Sequence, residues 1–197
     1  MTTMTTTTTT TTKTSEPTTV TTWTIDPAHT TVGFRVRHLM ITNVHGEFQK
    51  VRGTVRYDPH HPAATAVDAE IPVASISTRE PQRDAHLRSP DFFDAERHPT
   101  ITFRSKGARV GDGGIVEIVG DLTMRGTTRE IALAVVEITG EQKDHNGVVR
   151  RGASATAKIK RSEFGIIYNK ILEAGGVAIS DDVALTLDVS MTKNAAT

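Results

Sequence analysis

The chain has 197 residues, 37% of them hydrophobic and 23% charged, which suits one domain with enough apolar material for a core. Acidic and basic residues balance at 23 each, so no whole-protein field recruits nucleic acid, an anionic membrane or acidic substrates. The absence of cysteine excludes disulfides, thiolate metal sites, iron–sulfur clusters and cysteine nucleophiles.

Residues 1–22 are mostly threonine and cannot bury enough area to offset chain entropy, so a solvated low-complexity tail is expected there. That segment has no apolar stretch of the kind a signal peptide requires. The longest apolar run in the chain, Ile131 to Val136, is far short of a bilayer span. These features predict a cytoplasmic protein without stable membrane insertion. The folded domain is expected over 23–192, with 193–197 as a C-terminal tail.

From Trp23 onward the hydrophobic pattern has period two. Val32, Phe34, Val36 and His38 share one strand face, with Thr31, Gly33, Arg35 and Arg37 on the other. Val51, Gly53, Val55 and Tyr57 repeat the pattern, followed by Val67, Ala69, Ile71 and Val73. Further alternation covers Ile101/Phe103, Ile115 to Leu122, Glu130 to Ile138, Gly152 to Ile159 and Val183 to Val189. Half-buried antiparallel strands with one apolar face produce this signature. Reversals are predicted at Asp58-Pro59, at Gly111 to Gly114 and at Asn146-Gly147, the last being the strongest hairpin signal. Arg79 to Ser89, with Pro81 near its first turn and Pro90 closing it, reads as a helix. A second short helix or a loop is expected around Glu163 to Ala174. Eight or so strands with so little helix leave an open sandwich or a closed barrel, and periodicity does not choose between them.

The basic residues from Lys143 to Arg161 read as a solvated strand face. Adjacent His60 and His61 point opposite ways in an extended chain, and His38 and His45 lack a third ligand, so no metal site is predicted. His29 and His38 read as hydrogen-bonded core or rim histidines, with a headgroup contact at a barrel mouth as the functional alternative. No nucleophile elbow, phosphate-cradling glycine loop or zinc-binding helix motif occurs, and Asp181 and Asp182 diverge as strand neighbours, so no catalytic residues are assigned.

Several segments in order resemble the YceI-like, or polyisoprenoid-binding, family. They are Trp23 to Leu39 with Val44 to Phe48, Arg83 to Asp94, His98 to Ser105, Gly120 to Arg129, and Arg161 to Gly165 with the closing strand from Asp181. The resemblance implies an all-β, lipocalin-like, eight-stranded antiparallel β-barrel with one or two short helices. It also implies an apolar lumen holding an isoprenoid-type lipid, polyprenyl or quinone-like, and for some relatives a homodimer. Many relatives are periplasmic, whereas this sequence predicts the cytoplasm.

The resulting expectation is non-enzymatic binding, storage or transport of such a lipid, with no other cofactor. Parity assigns Phe34, Val36, Phe48, Phe103, Leu122 and Leu133 to the lumen, with His38 as a polar contact. The helical segment, with Leu87, Phe92 and Phe93, is expected to close one barrel end or to act as a lid on the ligand tail. A ligand-free barrel serving as a stress-related or interaction module is the alternative. An enzyme acting on a bound lipid has the least support.

Overall fold

A computed structural model describes residues 20–170 and 178–195. The tail through residue 19, and the last part of the Glu163 to Ala174 segment, lie outside these residues.

The strands are β1 (Thr21–Ile25), β2 (Thr31–His38), β3 (Thr42–Phe48), β4 (Arg52–Tyr57), β5 (Ala66–Pro72) and β6 (Ile76–Ser77). Helix α1 (Pro81–Arg88) follows, then β7 (Thr100–Gly111), β8 (Gly114–Met124), β9 (Thr127–Ile138), β10 (Gln142–Lys143), β11 (Val149–Lys160) and β12 (Ile179–Lys193). All pairings are antiparallel, and they close into a ring because β12 pairs with β11 on one edge and with β1 and β2 on the other. β1 and β2 therefore form one stave broken by the 3₁₀ turn Pro27–His29. β3 and β4 form the next stave, since β2 pairs with β3 and β1 with β4. The outcome is a closed eight-stranded barrel, the choice that periodicity left open.

Turn chemistry follows the sequence at several joints. Gly147 adopts φ +79°, and the Asp144 carboxylate accepts from the Asn146 and Val148 amides at 2.9 and 3.0 Å, shaping the β10–β11 hairpin. Helix α1 starts at Pro81, with Glu80 accepting from the Gln82 amide as N-cap. The second helical segment reduces to a 3₁₀ turn, Arg161–Phe164, ended by Gly165 at φ +73°. Strands β1 and β12 reach Thr21 and Lys193, and the Asn194 amide bonds the Thr22 carbonyl, so pairing extends slightly past the domain limits expected.

Two bulges alter the expected parity. In β8, Glu117 pairs with Arg109 and Ile115 with Val110, so Val116 is the extra residue and turns outward. In β9, Glu137 faces Ser154 and Val135 faces Ala155, which leaves Val136 unopposed and 67% exposed. Each bulge lets residues at odd spacing face inward together: Ile115 with Ile118, and Val135 with Ile138.

At the barrel end near Trp23, an ion cluster fastens the β1–β2 break to the β10–β11 hairpin. Asp26 accepts from the Ala28 amide at 3.0 Å, bonds His29 Nδ1 at 2.8 Å and receives Arg150 at 2.5 Å. Arg150 also holds Asp144 at 2.8 Å. His29 is therefore a surface partner of Asp26, 66% exposed, and is not on the inward face. The bonds from His29 and Arg150 hold the Asp26 carboxyl down from the ordinary 3.8 to about 2. A carboxyl lowered by folding stabilises the native state above its ordinary value, and that contribution is lost as pH falls toward the lowered one. We therefore expect unfolding free energy, measured by urea titration, to fall between pH 3.8 and about 2. Asp26→Asn is expected to flatten that part of the profile.

Candidate functional site

The inward faces do not meet across the barrel axis. Two cavities, of about 380 and 200 Å³, lie end to end and share Val32, Ile71, Leu122 and Leu185 as a common waist. The larger matches the roughly 300–1,000 Å³ typical of small-molecule pockets. Its wall includes Phe34, Val36, His38, Phe48 and Leu122, while Phe103, Leu122 and Leu133 line the smaller. Every residue assigned to the lumen from parity thus stands on a cavity wall.

Close backbone approach shapes the larger cavity. A Cβ at Gly46 would lie 2.3 Å from the Phe34 ring, so glycine lets that ring lie against the neighbouring strand instead of across the lumen. Phe34 then packs on Phe48 at 5.9 Å between centroids, and Phe48 meets Phe93 edge-on at 5.8 Å. Phe93 belongs to the loop after α1, so this contact carries the wall onto the end cover.

The cover is held by polar bonds behind an apolar inner side. The buried Asp84 carboxylate accepts from the Thr78 amide and hydroxyl at 2.8 and 2.5 Å. Arg83 donates to the Thr78 hydroxyl and carbonyl, and Arg125 donates to the Phe92 carbonyl. His86 bonds Asp91 at 2.8 Å, and its ring sits edge-on to Phe92 and Tyr168, each at 5.0 Å. Leu87, Phe92 and Phe93 line the larger cavity. The segment therefore closes the barrel end and forms part of the cavity wall, combining the two roles considered from sequence.

Beside the cover, Arg161 organises the chain between β11 and β12. It is 7% exposed, and its guanidinium donates to the carbonyls of Ser180, Ile166 and Tyr168 at 3.0, 2.8 and 2.8 Å. Burial lowers its pKa, opposed by the charge of nearby Asp181, which itself bonds Ser162. Arg161 shares this end of the larger cavity with the polar residues His38, Thr78, Arg83, His86, Tyr168 and Lys170, whose apolar parts supply most of their share of the wall. The remaining walls are aliphatic or aromatic.

The opposite end carries another cation. Arg151 lines the smaller cavity, with Cζ 5.1 Å from the Tyr57 ring centre and 5.8 Å from that of Trp23. Arg151 and Arg161 thus depart from the solvated strand face expected for the Lys143 to Arg161 segment, although Lys158 conforms to it at 67% exposure. Sequence reasoning missed Arg161, Tyr168 and Lys170 as cavity residues because they lie in irregular chain with no alternation to read. Among the described residues, no group of three or more His, Asp or Glu side chains gathers as a metal site.

A closed antiparallel barrel around an apolar interior, with polar residues at one end, defines a lipocalin-like binding fold. The model of the YceI-like domain matches residues 23–191, and the chain belongs to that family. A UPF0312 protein of Staphylococcus aureus is 35% identical over 165 residues, covering 83% of this chain and 93% of that protein. A UPF0312 protein of Photorhabdus laumondii is 37% identical over 136 residues, covering 69% and 70%. The crystal structure of the Campylobacter jejuni YceI protein superposes with a TM-score of 0.67 at 32% identity, covering 80% of this chain and 90% of that one. A polyisoprenoid-binding domain from Saccharophagus degradans shares the fold at 15% identity, with a TM-score of 0.63 and coverage of 87% and 98%.

Replacing Arg161 by Met is expected to leave its carbonyl partners without a donor and to lower unfolding free energy by about 2–4 kcal/mol. Lysine, a single point donor in place of a planar fork, is expected to recover only part of that in a urea titration.

Proposed function

We propose that the protein binds a polyprenyl or quinone-like lipid along the barrel axis, without catalysis, as a carrier or store. The observation that carries this reading is the pair of abutting apolar cavities with polar groups gathered at the ends. A molecule with a headgroup and a single long tail fits such a space, because the tail needs only dispersion contact and burial while a headgroup needs polar partners. Each CH₂ taken from water contributes roughly 0.8 kcal/mol, so a few isoprene units bind tightly without directional bonds. Unfilled, a cavity forfeits packing at roughly 24 cal/mol per Å³, which favours an occupant over an empty lumen. The description of the Saccharophagus degradans domain as polyisoprenoid-binding agrees with this reading.

The waist supplies a test of geometry. Protein purified from its own host, extracted with organic solvent and analysed by mass spectrometry, is expected to release a prenyl lipid in near-stoichiometric amount. Leu185→Trp, which narrows the boundary between the cavities, is expected to shift the retained lipids toward shorter chains. An empty extract, with no uptake of added prenyl lipid, would instead favour a ligand-free module.

A further inference from the structure

We propose that the polar end of the barrel docks on the surface of an anionic lipid bilayer, placing the mouth of the larger cavity against the membrane. This rests on the lipid-binding reading for its purpose, but it stands on separate observations. The β2–β3 hairpin beside the mouth turns through Leu39 and Met40, at φ +50° and +59°. Both central residues of such a turn ordinarily favour Gly or Asn. Here the left-handed backbone instead carries side chains, and it presents Met40 and Ile41 to solvent at 57% and 74% exposure. Backbone strain that displays exposed apolar residues points to a use outside the fold.

The turn is tied to the mouth. The Leu39 amide donates to the Ala178 carbonyl, and the Ala178 amide donates to the Lys170 carbonyl, which places the hairpin tip beside the cavity rim. On that rim Ile166 is buried against the cavity, while its neighbour Ile167 is 74% exposed. Met40, Ile41 and Ile167 thus expose apolar side chains at the barrel end that α1 covers.

Charge identifies the occupant. Arg37, whose Nε bonds the Met40 carbonyl, and Lys170 and Arg83 on the cavity rim form no ion pair among the described residues. Of the carboxylates at the same end, Asp91 and Asp182 pair with His86 and Lys158, whereas Asp84 and Asp181 bond the neutral Thr78 and Ser162 hydroxyls and Glu163 is exposed. Apolar side chains flanked by cations without an ion-pair partner among the described residues suit the interface of a membrane carrying acidic lipids, where each such cation strengthens attraction about fivefold. A lipid then passes between bilayer and lumen without crossing water.

The test is flotation of the full chain with phosphatidylcholine vesicles containing roughly a third phosphatidylglycerol, against pure phosphatidylcholine vesicles. Binding to the anionic vesicles is expected to exceed that to neutral ones and to weaken as salt rises. Met40→Gly combined with Ile41→Ser is expected to reduce binding by on the order of tenfold or more. The glycine relieves the turn, so this variant is expected to keep its melting temperature, separating docking from folding. Arg37→Gln and Lys170→Gln are each expected to weaken binding by about fivefold. Val136→Ser, on the outward bulge at the far end, serves as the control that leaves binding unchanged. Absence of vesicle binding, binding indifferent to the mouth variants, or a hairpin variant that instead dissociates a homo-oligomer by light scattering would overturn the proposal. Recovery of prenyl lipid by extraction in those cases leaves the carrier reading standing.

Discussion

Closing the sheet is the constraint on which the rest of the structure depends. Once β12 pairs with β11 on one side and with β1 and β2 on the other, every strand must turn the same face toward one axis. The period-two pattern makes that face apolar along almost the whole chain. An eight-stranded barrel is just wide enough for its side chains to fill it or for a small ligand to take the space. The sequence contains only six Phe, two Tyr and one Trp, so most inward positions are aliphatic residues too short to meet across the axis. The remaining space becomes two cavities instead of a packed core.

Polar chemistry is thereby pushed to the ends. At the mouth, Arg161 binds the carbonyls of the irregular chain between β11 and β12, while Asp84 and Thr78 fasten the helical cover. At the other end, Arg151 lies against Tyr57 and Trp23, and Arg150 joins Asp26 to Asp144. The two ends differ in kind. The Asp26 cluster is a set of satisfied ion pairs that ties the β1–β2 break to the β10–β11 hairpin, whereas the mouth combines a carbonyl-bound arginine with cations that have no carboxylate partner among the described residues. An amphiphile entering tail first satisfies both the apolar shaft and this polar rim.

Residues on regular strands were legible in the sequence because their environment is set by parity. Phe34, Val36, Phe48, Phe103, Leu122 and Leu133 reach the cavities for that reason, and His38 follows from Val36 by the same rule. Parity failed where an extra residue entered a strand. Val116 and Val136 are outward at bulges; the first lies two residues past the Gly111 to Gly114 turn, whose glycines mark the reversal and not the shift. It also failed for charged residues. Arg151 and Arg161 look like members of a solvated basic stretch, yet one is drawn to aromatic faces and the other to backbone carbonyls that only the folded chain brings together. The Leu39-Met40 turn was invisible as a positive-φ reversal because it lacks the Gly or Asn that usually marks one. Closure itself came from the resemblance, since alternation describes a sandwich and a barrel equally well.

Trp23 offers the most direct test of a continuous lipid channel. It is the sole tryptophan, is 1% exposed, and lines the smaller cavity beyond the waist from the mouth. Titration of delipidated protein with prenyl alcohols of increasing length, following Trp23 emission, separates a channel from a shallow pocket. Short chains are expected to compete for the mouth without changing the emission, and longer chains to give a saturable change once they pass Leu185. No change at any length, or the same change from the shortest chain as from the longest, would contradict the account.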